Sequence, residues 1–314
     1  MFANTSCLEP EARAAYVVRM ADTTLPQRIG RLFESVLPRR FRGSSVVVPV
    51  VRLSGVIGLS TPLRPGLTLS TVARSLERAF TWSKTRAVAL AINSPGGSPV
   101  QSHLIFQRIR QLAEEHERSV IAFIEDVGAS GGYMIACAAD EIVCDPTSIV
   151  GSIGVVGGGF GFTGLIEKLG IERRLYTAGD RKAMLDPFLP AKVDDVEHLK
   201  AIQRDIHESF ITLVKARRGA MLMGPESTLF SGEYWTGRRA VALGLADHLG
   251  DLRSVLRQRF GEDVSTPLVA ADRGFLGRRL RGVASASRLG DTGGLAEEFL
   301  SALEARALWA RYGL

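Results

Sequence analysis

Cysteine is scarce in this sequence: Cys7, Cys137 and Cys144 are the whole complement in 314 residues. Three irregularly spaced cysteines exclude a disulfide framework, and no Cys-x-x-Cys or Cys/His spacing suits a metal. The composition fits a reducing compartment. Aromatic residues are few, at 7%, and none interleave with the arginine-rich stretches. The formal charge of +6 therefore does not read as a nucleic-acid surface. No apolar core of roughly 7–15 residues follows the N-terminal charges, so no signal peptide is expected. An uncharged run does exist at 146–166, but seven of residues 149–166 are glycine. A lone membrane helix of that content would be poorly stabilised, so the run is read as buried strand and loop. The expectation is a protein that is cytoplasmic or peripherally membrane-associated. With 46% hydrophobic and 23% charged residues, disorder is excluded as well.

What the sequence has in excess is glycine, placed unevenly: 13 of 33 fall between residues 90 and 170. Around them runs a regular pattern. The apolar runs Val46–Val51, Ala87–Ile92, Val120–Ile124 and Ile142–Cys144 read as buried strands, with helices over 68–83 and 99–117 separating the first three. Strands alternating with helices imply βαβ units and a mainly parallel sheet. A further strand is expected over 171–177. Val193, Val196, Leu199, Ile202, Ile206, Phe210 and Leu213 line one face of a long amphipathic helix over 193–218, and helices over 237–244 and 251–260 follow. Residues 1–44 read as an N-terminal extension with a basic amphipathic helix at Ile29–Leu37, which suits either a membrane surface or packing on its own domain. Residues 263–314 read as a basic linker (273–293) and a helix over 295–310, with Leu295, Phe299, Leu303 and Leu308 expected inside. Residues 45–262 between them form the main domain.

Three constellations could carry chemistry. Asn93-Ser94-Pro95-Gly96-Gly97-Ser98 follows an apolar strand and precedes a helix, so its amides suit an oxyanion hole, and also suit a plain turn. Gly128-Ala129-Ser130-Gly131-Gly132-Tyr133 again joins strand to helix. Ser130 reads either as a helix cap or as a nucleophile on a sharp elbow, with small residues on both sides. A nucleophilic serine needs a base. His116, His198 and His207 lie in charged helical stretches and read as solvated, His103 opens a helix near the glycine pair, and His248 falls in a turn. The third constellation is Thr177–Phe188, which carries Lys182 beside Asp180 and Arg181. At pH 7 a lysine of ordinary pKa is neutral only about once in a few thousand, so lysine bases work in enclosed sites. Spacing alone does not single out Lys182.

Taken together, the segments resemble the signal peptide peptidase A (protease IV) family of serine peptidases. The resemblance rests on residues 94–97, 128–133, Gly-Ser-Ile-Gly-Val at 151–155, Leu-Ile-Glu-Lys-Leu-Gly-Ile at 165–171, residues 179–188, and Thr-Gly-Arg-Arg-Ala-Val-Ala-Leu-Gly-Leu-Ala-Asp at 236–247. It covers residues 45–260. The resemblance implies a Clp protease/crotonase-like α/β spiral of ββα units and a Ser/Lys dyad. By position, Ser130 matches the nucleophile and Lys182 the base. Gly97 and Gly131 match the oxyanion donors, with Gly96 and Gly132 beside them in the substrate site. It further implies peptide substrates, no cofactor and no metal. The implied assembly is a homo-oligomer in which neighbouring chains complete the dyad.

Three features depart from that pattern. One copy of the domain is expected, no transmembrane anchor is expected before the first strand, and the loop 156–164 is unusually rich in glycine. The alternatives weighed are a crotonase-like acyl-CoA hydratase or isomerase, and a non-catalytic scaffold that contacts membranes through its basic ends.

Overall fold

The computed structural model describes residues 46–58 and 66–269, together with residues 303, 306, 307, 309, 310 and 312. The chain divides into two compact units at Ser44/Ser45, and every described residue belongs to the second. The expectations placed on 1–44, on 273–293 and on Leu295, Phe299 and Leu308 lie outside the described residues.

The apolar runs form strands buried on both faces, as parallel strands covered by helices must be. β1 (Val50–Ser54), β2 (Ala87–Ser94), β3 (Ser119–Ala129), β4 (Glu141–Cys144) and β7 (His248–Leu249) lie side by side in that order, all parallel. α1 (Leu69–Phe80) and α2 (Pro99–Glu115) are the crossovers between β1, β2 and β3. Ser98 caps α2, accepting from the Gln101 amide at 3.4 Å, and Pro99 fits the first turn, where its missing N–H costs nothing. α3 (Gly131–Ala136) follows β3 directly and is buried along its whole length. The architecture is the α/β class expected, of the Clp protease/crotonase-like type.

Two irregularities in the sheet position the site. The β2–β3 register shifts between Ile92 and Ser94, so Ser94 faces Gly128. β3 also changes partner along its length. Ile121–Ile124 pair with β4, while Val127–Ala129 pair with β5 (Ile149–Gly151). Ser148 fills the gap, its hydroxyl donating to the Glu125 carbonyl at 2.5 Å. β6 (Tyr234–Thr236) then adds antiparallel to β5. β3 therefore runs on past the main sheet and delivers Ser130 at its tip.

One face of the sheet is covered by α1, α2, α3 and the second half of α5 (Val193–Arg218), the other by α8 (Leu252–Phe260). α6 (Glu226–Leu229) and α7 (Gly237–Ala242) lie between α5 and α8. The end of α5 is clamped to α3: Arg217 donates to the Cys137 and Ala139 carbonyls at 2.9 and 3.0 Å. Arg218, buried, donates to Asp247 at 2.8 and 3.0 Å and to the Gly244 carbonyl.

Four expectations need correction. The first ladder begins at Val50 rather than Val46. Val47 makes only isolated bridges, to Thr85 and Ser265. No strand forms over 171–177. That stretch is exposed coil, because no sheet edge lies beside it and Arg173 is drawn into an ion pair with Asp186 at 2.7 Å. On α5 only Phe210 and Val214 of the apolar residues are fully buried, while Val193 and Ile202 are exposed, because only the second half of the helix reaches the core. Leu303, expected inside, is 48% exposed, and its stretch packs through Trp309 and Tyr312 instead.

Candidate active site

Ser130 stands between β3 and α3 with φ 52° and ψ −123°. Few non-glycine residues occupy that region, and such strain persists only where the surroundings over-determine it. Here they do. The Ser130 N–H donates to the Gly151 carbonyl at 2.8 Å, tying the residue to β5, and its carbonyl receives the Met134 N–H at 3.0 Å inside α3. No side-chain capping bond forms, so the Ser130 hydroxyl is not spent as a helix cap. Of the two readings open from the sequence, the conformation is that of an elbow that presents a side chain.

The Ser94–Gly97 loop packs against this elbow. A Cβ built on Gly96 would lie 2.7 Å from the Ser130 Cβ and 3.0 Å from its Oγ, so the bare Gly96 backbone is the wall beside the hydroxyl. The loop is held from behind: Ser94 Oγ donates to the Gly55 carbonyl at 2.7 Å and accepts the Gly96 N–H at 3.3 Å. Ile57 donates to the Gly96 carbonyl and accepts from the Ser98 N–H, each at 2.8 Å. That pairing uses the groups on either side of Gly97 and leaves the Gly97 N–H unused. Gly131, first in α3, has no intrahelical acceptor either. Among the described residues neither amide has a hydrogen-bond partner, so both are available as donors.

These glycines are needed for close packing within the chain itself. A Cβ on Gly97 would strike the Ile57 carbonyl, one on Gly131 the Ser102 hydroxyl, and one on Gly132 the Ser94 carbonyl.

Lys182 lies in the turn that follows Gly179, its N–H bonded to the Gly179 carbonyl at 3.1 Å and its side chain exposed. No hydrogen bond joins it to Ser130 among the described residues. It belongs to an arm, residues 155–192, that includes α4 (Thr163–Lys168) and is almost wholly exposed. The arm holds itself together. Phe162 and Phe188 meet at 5.5 Å between centroids, Arg173 stacks over Phe188, and Asp186 accepts from Arg173. That guanidinium, with the Phe188 N–H, holds the Asp186 carboxyl below the usual carboxylate range. The arm nonetheless exposes Val156, Phe160, Leu165, Leu169, Ile171 and Tyr176.

No histidine hydrogen-bonds to Ser130 among the described residues. His103 stacks on Phe106, and His248 lies on the edge strand β7, 3.7 Å from Glu141, rather than in a turn. His207 is not simply solvated: its Nε2 lies 3.0 Å from the Ile153 carbonyl, two residues beyond Gly151. Among the described residues the thiols offer no rival nucleophile, since burial pushes Cys137 and Cys144 up to about 12 and keeps both protonated at neutral pH. Sequence reasoning missed the contacts of Ser102 with Gly131 and of His207 with Ile153, which join distant segments. For Ser94 a signal existed in its place directly before Pro95-Gly96-Gly97.

Residues 113–261 match the sequence profile of peptidase family S49. The "Serine protease SPPA, chloroplastic" of Arabidopsis thaliana is 30% identical over 211 residues, covering 65% of this chain and 31% of that protein. The "Probable protease SohB" of Buchnera aphidicola subsp. Acyrthosiphon pisum is 32% identical over 180 residues, 57% of this chain and 52% of that protein. The "Na(+)/H(+) antiporter NhaA" of Brucella abortus is 50% identical over 317 residues, 99% of this chain but only 43% of that protein. The chain thus spans less than half the length of that relative. Among the described residues no helix is long and apolar enough to cross a membrane.

Proposed function

We propose that this chain, which belongs to peptidase family S49, the signal peptide peptidase A family, is a serine endopeptidase acting on extended peptides through Ser130 and Lys182. The observation that carries the reading is the Ser130 elbow, with φ 52° beside two unused amides. In this mechanism Lys182 removes the Ser130 proton as Oγ attacks the scissile carbonyl. The Gly97 and Gly131 amides hold the oxyanion. Lys182 then protonates the leaving amine and activates the water that releases the acyl group. The same stretch is shared with the Brucella antiporter, and because the S49 match falls within it we assign it the peptidase activity and not ion exchange.

Lys182 is proposed to serve Ser130 of a second copy of this chain. The exposed Lys182 and the uncovered apolar residues of its arm support that arrangement, since burial against a neighbour would both cover the arm and desolvate the amine. Membrane-derived peptides are the substrates proposed, and a peripheral membrane contact of the chain is part of the same proposal.

The test is complementation. Ser130→Ala and Lys182→Ala should each lower peptide cleavage by about 10³-fold or more while leaving the assembly unchanged. Mixed from unfolded chains and refolded together, the two dead proteins should recover about a quarter of wild-type sites, those pairing an intact serine with a neighbour's intact lysine. Full activity in Lys182→Ala would end the dyad, and no recovery on mixing would place the pair within one chain. A fluorophosphonate probe that labels wild type and not Ser130→Ala separates this reading from a hydratase or a scaffold.

A further inference from the structure

The backbone kinks sharply just beyond β5, beside the Ser130 elbow. Gly151 has φ 107° and Ser152 φ 53°, two left-handed residues in succession. The Gly154 N–H then turns back onto the Ser152 carbonyl at 3.0 Å. A serine at such an angle persists only where its surroundings over-determine it.

The kink matters because its first carbonyl is already in use. Gly151 accepts the Ser130 N–H at 2.8 Å, so the position of the kink sets the position of the elbow. Two contacts from distant segments hold it. The Ser152 N–H donates to the Glu233 carbonyl at 2.6 Å, just before β6, and His207 Nε2 lies 3.0 Å from the Ile153 carbonyl. Ile153 is fully buried, and among the described residues no backbone N–H reaches its carbonyl. A carbonyl can only accept, so Nε2 carries the hydrogen. The neutral ring in that tautomer and the charged ring both make the bond.

α5 gives His207 a firm base. Phe210, three residues further along the same face, is buried in the core. Gln203, one turn earlier, meets the same loop, since a Cβ built on Gly157 would lie 2.8 Å from its Nε2. The bond also bridges the arm. Ile153 lies two residues before 155–192, and α5 opens directly after it, so His207 closes the base of the segment that carries Lys182.

We propose that His207 is a positioning residue for the Ser130 centre. It is not a base. Its Nε2–H holds the Ile153 carbonyl, which keeps the Gly151–Ile153 kink in place and with it the carbonyl that orients Ser130. The inference rests on the peptidase reading of Ser130.

The experiment compares full-length wild type with His207→Phe, which keeps a ring and loses the donor, and His207→Gln, whose amide N–H can replace Nε2–H. Two quantities are read: steady-state peptide cleavage, and exchange of the Ser130 amide by hydrogen-exchange mass spectrometry. In His207→Phe, kcat should fall about tenfold with KM within about twofold of wild type, because binding survives and alignment does not. The Ser130 amide should exchange about tenfold faster. His207→Gln should recover most of both. Wild-type kcat and exchange in folded His207→Phe would overturn the proposal. Equal losses in the two variants would also overturn it, since the ring and not the hydrogen bond would then matter. Should His207→Phe fail to fold, His207→Asn takes its place, with a side chain too short for that carbonyl and the same results expected. If wild type shows no Ser130-dependent cleavage, the peptidase reading fails, and the exchange comparison alone judges the His207 tie.

Discussion

Gly96, Gly97, Gly131 and Gly132 share a composition with Gly158, Gly159, Gly161 and Gly164, but not a setting. The first four sit at the Ser130 elbow, and a methyl group on any of them would meet Ser130, Ile57, Ser102 or Ser94. A methyl on any of the second four would meet nothing within 4 Å. One set exists because backbones must approach closely, and the other lies in an arm that this chain alone leaves uncovered. The difference separates two jobs. In the proposed mechanism the elbow must be rigid before a substrate arrives, so that its amides need no rearrangement when charge develops. In the proposed assembly the arm must remain free to meet the neighbour that covers it.

The sharpest way to break the comparison is Gly97→Ala. Gly97 has φ 139°, and its new methyl would press on the Ile57 carbonyl, which is backbone and cannot swing aside. The Gly97 amide should shift, and cleavage by the folded fraction should fall about 10²–10³-fold, as for a lost oxyanion donor. Rates corrected for the folded fraction by parallel thermal melts check this. Near-normal turnover would mean that the Gly97 amide takes no part.

A middle-sized effect comes from the pin inside the arm. Because Arg173 holds the Asp186 carboxyl below its ordinary range, the pin is complete above the unfolded carboxylate pKa, about 3.9, and is lost as pH falls through the lowered folded value. Asp186→Asn removes it at every pH. At pH 7 the variant should be nicked faster by a probing protease within 155–192, with the core untouched, and the two proteins should converge as acid titrates Asp186. A variant whose core is nicked as quickly as its arm would show that the arm is not an independent unit.

Much of the elbow was legible in the sequence because it is local. The apolar run Val120–Ile124, followed within a few residues by Gly128-Ala129-Ser130-Gly131-Gly132, already points to strand, turn and helix. The full extent of α5, Val193–Arg218, was legible for the same reason, from a 3.6-residue period. What was hidden depends on partners. Over 171–177 a strand is sterically possible, yet a strand also needs an edge, and the sheet offers none there. The contact of His207 with Ile153 joins residues 54 apart, and those of Tyr312 with Ser152 and Pro95 join residues 160 and 217 apart. No local pattern encodes such distances. The exposed half of α5 shows the converse, an apolar stripe that is present in the sequence but is not buried within one chain.

The smallest effect tests the other side of the comparison. In Gly159→Ala the methyl meets open space, and Gly159 is not among the glycines with positive φ. The folded chain therefore loses nothing, while the unfolded chain loses conformational freedom. Stability should stay level or rise by up to about 1 kcal/mol. Chemical denaturation of the isolated chain reads this directly, through a midpoint that holds or moves up at an unchanged slope. The same substitution also asks what covers the arm. If a second copy packs on the loop at close range, the gain should appear in dilute single chains and vanish or reverse in the assembly, because the methyl then meets a neighbour. A gain that persists undiminished in the assembly would mean that the glycines of this loop face solvent there too, and that the contact surface of the arm lies instead along Leu165, Leu169 and Tyr176.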